Sequence, residues 1–149
     1  MLITDALLGE HGVFHLLLQH IEQALPALDS TPILQHELAA FAFALESHAR
    51  LEDDLLFAAL EPRLGLQGGP LSVMRMEHDR ITNLLGRIES ASSLEEGRAF
   101  VTQLIEVCRD HFQKEEQVLS RMSRKFLSED ELMSLGAQWA GRRILFASA

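Results

Sequence analysis

Four stretches of this chain repeat apolar residues at steps of three or four, and each places a histidine on that same row. The first row is Leu7, His11, Phe14, Leu18, Ile21 and Leu25. The second is Leu34, Leu38, Phe41, Leu45, His48, Glu52 and Leu55. The third is Leu71, Met74, His78, Ile81, Leu85 and Ile88. The fourth is Phe100, Leu104, His111, Glu115, Val118 and Met122, with Cys108 falling between Leu104 and His111. Such rows are the buried faces of helices packed at the small angles of a left-handed bundle. They put four imidazoles and two carboxylates where a core should be. An unpaired buried carboxylate costs several kcal/mol, so a fold of this kind requires something that neutralises the group. A metal centre does so directly.

The two carboxylates sit in pairs of identical spacing, His48-x-x-x-Glu52 and His111-x-x-x-Glu115. Residues i and i+4 share a helix face, with Cβ atoms roughly 6 Å apart, so each pair aims an imidazole and a carboxylate at one point. That donor set suits first-row transition metals such as iron. The duplication predicts two metal ions, or one centre with twofold-related ligands. Symmetry between the halves brings the four histidines to one level.

Turn and capping signals divide the chain into five helical stretches. The first runs from about Thr4 to Leu25 and stops near Pro26. Thr31-Pro32 reads as an N-cap followed by proline at the first helical position. It opens a stretch that Glu61-Pro62 is expected to end. The segment Gly65 to Pro70 is a loop, and the third stretch runs from about Leu71 to Ser90. Ser93-Leu94-Glu95-Glu96 is a capping box opening a stretch to about Phe126. Ser128-Glu129-Asp130-Glu131 opens a short fifth helix to about Arg143. No run alternates with period two for long enough to make a strand. The expected fold is all-α: an up-down-up-down antiparallel four-helix bundle over residues 1–126, with a short C-terminal helix within 127–149 packed on it. Trp139, Ile144, Leu145 and Phe146 form either that helix's buried face or the contact of a homodimer.

At 149 residues and 47% apolar composition the chain suits one domain with a real core. A net charge of −9, without a Lys/Arg cluster, argues against nucleic acid as a partner. No stretch of 18 apolar residues occurs, so no membrane span is expected. Cys108 is the single cysteine, which precludes an intramolecular disulfide. With no basic region preceding an apolar run at the N-terminus, the expected location is the cytoplasm.

Together, Glu10-His11, His48-x-x-x-Glu52, Glu77-His78 and His111-Phe112-x-x-Glu115-Glu116 resemble the hemerythrin-like family of HHE cation-binding domains, over about residues 5 to 125. The resemblance implies a four-helix bundle holding two non-haem irons. His11, His48, His78 and His111 would be terminal ligands, Glu52 and Glu115 would bridge, and a solvent-derived oxo or hydroxo group would complete the centre. The chain departs from the oxygen-carrying members in its third stretch. They have His-x-x-x-His there, whereas this chain has Met74 in the earlier position. One nitrogen ligand is thereby lost, and a thioether binds ferric iron poorly. His15, one turn after His11, is the candidate to compensate. The six-ligand set looks closer to the iron-sensing and iron-cluster-repair branches, but the cysteine-containing N-terminal domain of the repair proteins is missing.

The expected function is therefore a di-iron protein that binds or senses a small diatomic ligand or peroxide (O2, NO or peroxide), or iron itself. Two alternatives stand beside it. One is an enzyme reducing peroxide or NO with electrons from a separate donor. The other is an interaction module whose fold depends on metal. A ferritin-like site is excluded, because none of the seven histidines has a glutamate three residues earlier. A zincin site fails because Ala40 stands where His36-Glu37 would need its second histidine. His20 and His36 fall off the rows and read as surface residues. Glu10 and Glu77 point roughly 100° away from the rows and read as surface charge, as partners for arginine, or as groups behind the ligands or bound to the metal. Asp53 reads as solvated. Phe14, Phe41, Leu45, Met74 and Ile81 would form a dry wall around the centre.

Overall fold

The computed structural model describes residues 1–64 and 69–144, all of it helix and short connections, with no strand among the described residues. Helix α1 spans Ile3–Ala24 and ends in a 3₁₀ turn, Leu25–Ala27, that accommodates Pro26. Helix α2 spans Thr31–Leu51. Ser30 is its N-cap, one residue earlier than the sequence signal, so Pro32 falls at the second helical position. There it still lacks only an amide that has no partner inside the helix.

The second stretch does not stop at Glu61-Pro62. A π-helical turn, Glu52–Phe57, follows α2 and leads into α3, Ala58–Leu64, which carries Pro62 inside it. Proline forfeits one backbone hydrogen bond there. Leu60 is fully buried, and the Glu61–Arg75 and Arg63–Glu131 ion pairs (2.8 and 2.6 Å) hold this last turn in place. Most of the Gly65–Pro70 loop, residues 65–68, lies outside the described residues. Gly69 caps α4, Pro70–Glu89.

Helix α5, Leu94–Lys114, starts at Ser93, whose hydroxyl accepts the Glu96 amide. The return half of the expected capping box lands one residue early, since the Glu96 carboxylate accepts from the amide and hydroxyl of Ser92. A second π-turn, Glu115–Leu119, connects α5 to α6, Ser120–Phe126. Ser128 opens α7, Glu129–Arg142, with both halves of its capping box formed.

The apolar rows collect into two clusters. One holds Phe14, Leu18, Phe41, Leu45, Ile81, Leu104 and Phe112 among others. The other holds Ile3, Leu7, Leu51, Leu55, Phe57, Met74, Leu119 and Trp139 among others. Each of the four long stretches passes from one cluster to the other, the first three through their histidine and the fourth through Glu115. Leu7 and Phe14 flank His11, Leu45 and Leu51 flank His48, and Met74 and Ile81 flank His78. Phe112 and Leu119 flank Glu115 in the same way. A polar layer thus divides the core in two.

The row on the fourth stretch departs from expectation past Glu115. Val118 is 40% exposed and Met122 half-buried, while Leu119 and Ser123 are buried. The π-turn explains the shift. The Ser120 amide bonds to the Glu115 carbonyl, five residues back, which inserts one residue and moves every later position along by one. Ser123 returns its buried hydroxyl to the Leu119 carbonyl at 2.7 Å. On the second stretch the same insertion lets three consecutive residues, Leu55, Leu56 and Phe57, all bury to 3% exposure or less.

Helix α7 packs on α1 and on the second cluster through Leu132, Gly136 and Trp139. Of the face expected from sequence, Trp139 is buried, but Ile144 is 74% exposed with φ 55°. Leu145 and Phe146 lie outside the described residues. Gly136 is where α7 approaches most closely, because a Cβ there would collide with the Met1 carbonyl oxygen and crowd the Ile3 amide. Both are backbone atoms and cannot step aside. Gly136→Ala is expected to destabilise the fold by about 1–3 kcal/mol through overpacking, seen as a thermal midpoint lower by several degrees. Cys108 is fully buried in the first cluster, and burial pushes its thiol up to about 12. It should stay unreactive to a thiol reagent at pH 8 until denaturant is added.

Candidate metal centre

The four row histidines and two row glutamates meet in the polar layer, none of them more than 7% exposed. The histidines come in two pairs. His11 and His48, from α1 and α2, bring their Nε2 atoms to 3.1 Å, and His78 and His111, from α4 and α5, do the same at 3.1 Å. The glutamates lie between the pairs. Glu115 places Oε2 3.3 Å from His11 Nε2 and Oε1 3.0 Å from His111 Nε2. Its Oε1 is also 3.6 Å from His78 Nε2. Glu52 Oε2 lies 3.7 Å from His48 Nε2 and 3.6 Å from His78 Nε2. Each carboxylate therefore reaches across both pairs.

Two donor groups are compact enough to hold an ion, with ligand atoms all within 4.8 Å of one another. One is Glu52, His78, His111 and Glu115; the other is His11, His48 and Glu115. Glu115 belongs to both and Glu52 to one, so the halves are alike but not equal.

An outer ring of carboxylates fixes which nitrogen faces inward in three of the four rings. Glu10 Oε2 lies 2.7 Å from His48 Nδ1, and Glu77 Oε2 lies 2.9 Å from His111 Nδ1. Asp53 Oδ2 stands 3.4 Å from His78 Nδ1. Glu116 Oε1 approaches His11 Nδ1 at 3.3 Å, without the alignment of a hydrogen bond. An ionised carboxylate can only accept, so the Nδ1–H of His48, His111 and His78 donates outward, and Nε2 keeps its lone pair for the centre. Glu10 and Glu77 are therefore not simple surface charges, nor is Asp53 merely solvated. The sequence signal was there: Glu10 and Glu77 each precede a row histidine, while Asp53 and Glu116 each follow a row glutamate. Every one of them serves a ring on a neighbouring element, not on its own.

His15 is not brought into the layer. It is about two-fifths exposed, and its Nε2 pairs with Glu116 at 3.2 Å. Met74 is buried in the second apolar cluster. Of the wall expected from sequence, Phe14 meets the His48 ring edge-on at 5.2 Å. Two residues outside that expectation lie against the rings: Phe112 packs on His11 at 4.6 Å and Phe57 stacks on His78 at 5.7 Å.

Neutral imidazoles with inward lone pairs 3.1 Å apart repel, and two buried carboxylates add negative charge between them. Glu52 Oε2 and both Glu115 oxygens have no hydrogen-bond partner despite burial. Polar atoms so placed are normally satisfied, and a cation between them satisfies them all. Residues and metal therefore fit: these groups can hold a metal ion. The chain matches the hemerythrin HHE cation-binding domain over residues 2–123. It belongs to the hemerythrin family. Neither a curated protein nor a solved structure matches it. No described helix is long and apolar enough to cross a membrane.

Without a metal, protons take the cation's place in this hemerythrin-family site. Burial alone would lower the His78 pKa, but the hydrogen bond to Asp53 and the nearby carboxylates of Glu115 and Glu52 more than reverse this and raise it to about 11. Burial likewise opposes the His111 charge, and Glu115 and Glu77 raise its pKa above the usual 6.5. Burial raises the Glu52 carboxyl and Glu115 adds to it by repulsion. Glu115 itself is held well below the usual range, since His11, His111 and His78 outweigh its burial. The His78 contribution to stability is thus complete below pH 6.5 and is lost as pH climbs through about 11. Metal bound at Nε2 must displace such protons. Loading is expected to release at least one proton per chain at pH 7, read with an indicator dye in weak buffer, and to tighten as pH rises.

Proposed function

We propose that this chain holds two non-haem irons between its histidine pairs and uses them to bind or sense a small diatomic ligand or peroxide, or iron itself. The observation that carries this reading is the pair of buried carboxylates with unpartnered oxygens, each set between two histidine pairs whose Nε2 atoms point inward. His11 and His48 would hold one ion and His78 and His111 the other. Glu115 and Glu52 would be shared. Imidazole and carboxylate without sulfur favour iron over softer-ligand metals. Two irons so placed supply an open coordination position for a small ligand and can share a two-electron change. The alternating passage of the four long stretches between the apolar clusters supports the antiparallel four-helix bundle typical of such centres.

The residues around the centre suit a small ligand. A cavity of about 20 Å³ touches His11, Glu52 and Glu115 and is walled by Thr4, Leu7 and Leu56. It has room for about one water-sized molecule. The buried Thr4 hydroxyl has no partner in the fold and stands in that wall, so it can donate to whatever occupies the space. Phe112 and Phe57 cover ring faces of His11 and His78.

Protein expressed with iron should carry about two irons per chain. Its near-ultraviolet absorption should bleach with dithionite and return in air. A colourless or zinc-only protein would count against the iron reading. His111→Ala and Glu52→Ala should each lose most of the metal and lower thermal stability, because the remaining buried charges lose their partners. His36→Ala should change neither. Two irons retained in His111→Ala would overturn the ligand assignment.

A further inference from the structure

The two halves of the centre are nearly equivalent, but the carboxylates behind them are secured differently. In one half Glu77 accepts from His111 on one oxygen and from Lys114 on the other. Lys114 is on α5 itself, three residues after His111, and its side chain is half exposed. In the other half Glu10 accepts the His48 Nδ1–H on Oε2. Its Oε1 takes two nitrogens of Arg143, Nε at 2.7 Å and Nη2 at 2.6 Å. The remaining Nη1 of Arg143 donates to the Ser47 hydroxyl at 2.5 Å, next to His48 in sequence. Arg143 comes from the far end of the chain, at the C-cap of α7.

We infer that α7 is a working part of the metal centre: through Arg143 and Glu10 it positions His48, so that docking of α7 and occupancy of the His11–His48 half are coupled. The inference rests on the metal-centre reading and adds to it. Its path is short and contiguous, α7 to Arg143 to Glu10 to His48. The guanidinium fork fixes Glu10 in place with more geometric definition than an ammonium would. Helix α7 and Arg143 lie beyond residues 2–123, the part that matches the family. The device therefore joins the matched part of the chain to residues outside it. Arg143 touches neither ligand atoms nor cavity and is a positioning residue. The rest of α7's attachment, Trp139 in the second cluster and Arg142 paired with Asp54 at 2.7 Å, does not contact Glu10.

The test uses the full chain loaded anaerobically with Fe(II) and titrated with a chromophoric Fe(II) chelator. In Arg143→Ala, one iron is expected to be lost at about 10- to 100-fold lower chelator concentration, the usual cost of removing support behind a histidine ligand. The second iron should be held as in the unmodified chain. Arg142→Ala removes an exposed ion pair that contributes little to docking of α7 and does not touch Glu10, and should hold both. Coupling is reciprocal, so Fe(II) should also slow amide hydrogen exchange in α7 of the unmodified chain. Equal retention of both irons by Arg143→Ala and the unmodified chain overturns the coupling. So does α7 exchange that is indifferent to Fe(II), a readout that needs no variant to fold. An unmodified chain that takes up no Fe(II) overturns the metal-centre reading itself, and this inference with it.

Discussion

Everything in this structure is arranged around a layer of charge that the fold cannot leave alone. Six ionisable groups sit between two apolar clusters, and the carboxylate oxygens at the middle have no protein donor to satisfy them. Apolar packing above and below supplies the driving force to bring the helices together. It also removes the water that would otherwise screen the layer. The same burial that stabilises the clusters therefore makes a cation obligatory, whether proton or metal. Fold and site are two sides of one electrostatic condition.

The outer carboxylates extend that condition toward the surface. Each inner imidazole faces an acidic group on a different element, and those acidic groups are paired in turn with Arg143, Lys114, Arg75 or His15. Groups alternate outward from the centre, from glutamates to imidazoles, then to carboxylates, then to Arg143, Lys114 and Arg75 toward the rim. Each shell lowers the cost of burying the one inside it. This ordering explains how a chain with a net charge of −9 can keep two of its carboxylates in its core.

The four rows and their histidines were legible because a helix's period turns sequence spacing directly into a face. The ligand level was legible too, from the repeat of one pattern in each half. Glu10 does pair with arginine, as one reading had it, but which ring each outer carboxylate serves was not legible, for a physical reason. On an isolated helix Glu10 points away from the row that carries His11, and only the neighbouring helix supplies the ring it serves. Pro62 was read as a stop because local rules cannot see the ion pairs that hold α3 together past it. Arg143 could not be read at all. Its partner is 133 residues away in sequence, and no short-range spacing announces a contact of that kind.

The two π-turns fall at the same place in both halves, each beginning at the shared glutamate. Each advances the helix by one residue, about 100° of rotation. The segments above and below the layer are thus out of frame with each other, like a text with one letter inserted. The upper apolar row and the ligands obey one frame; the lower apolar row obeys another. Straightening the second turn into regular α-helix, with no residue removed, would leave His111 and Glu115 in register with the upper cluster. It would rotate the whole lower face away from its partners, putting Val118 where Leu119 now packs.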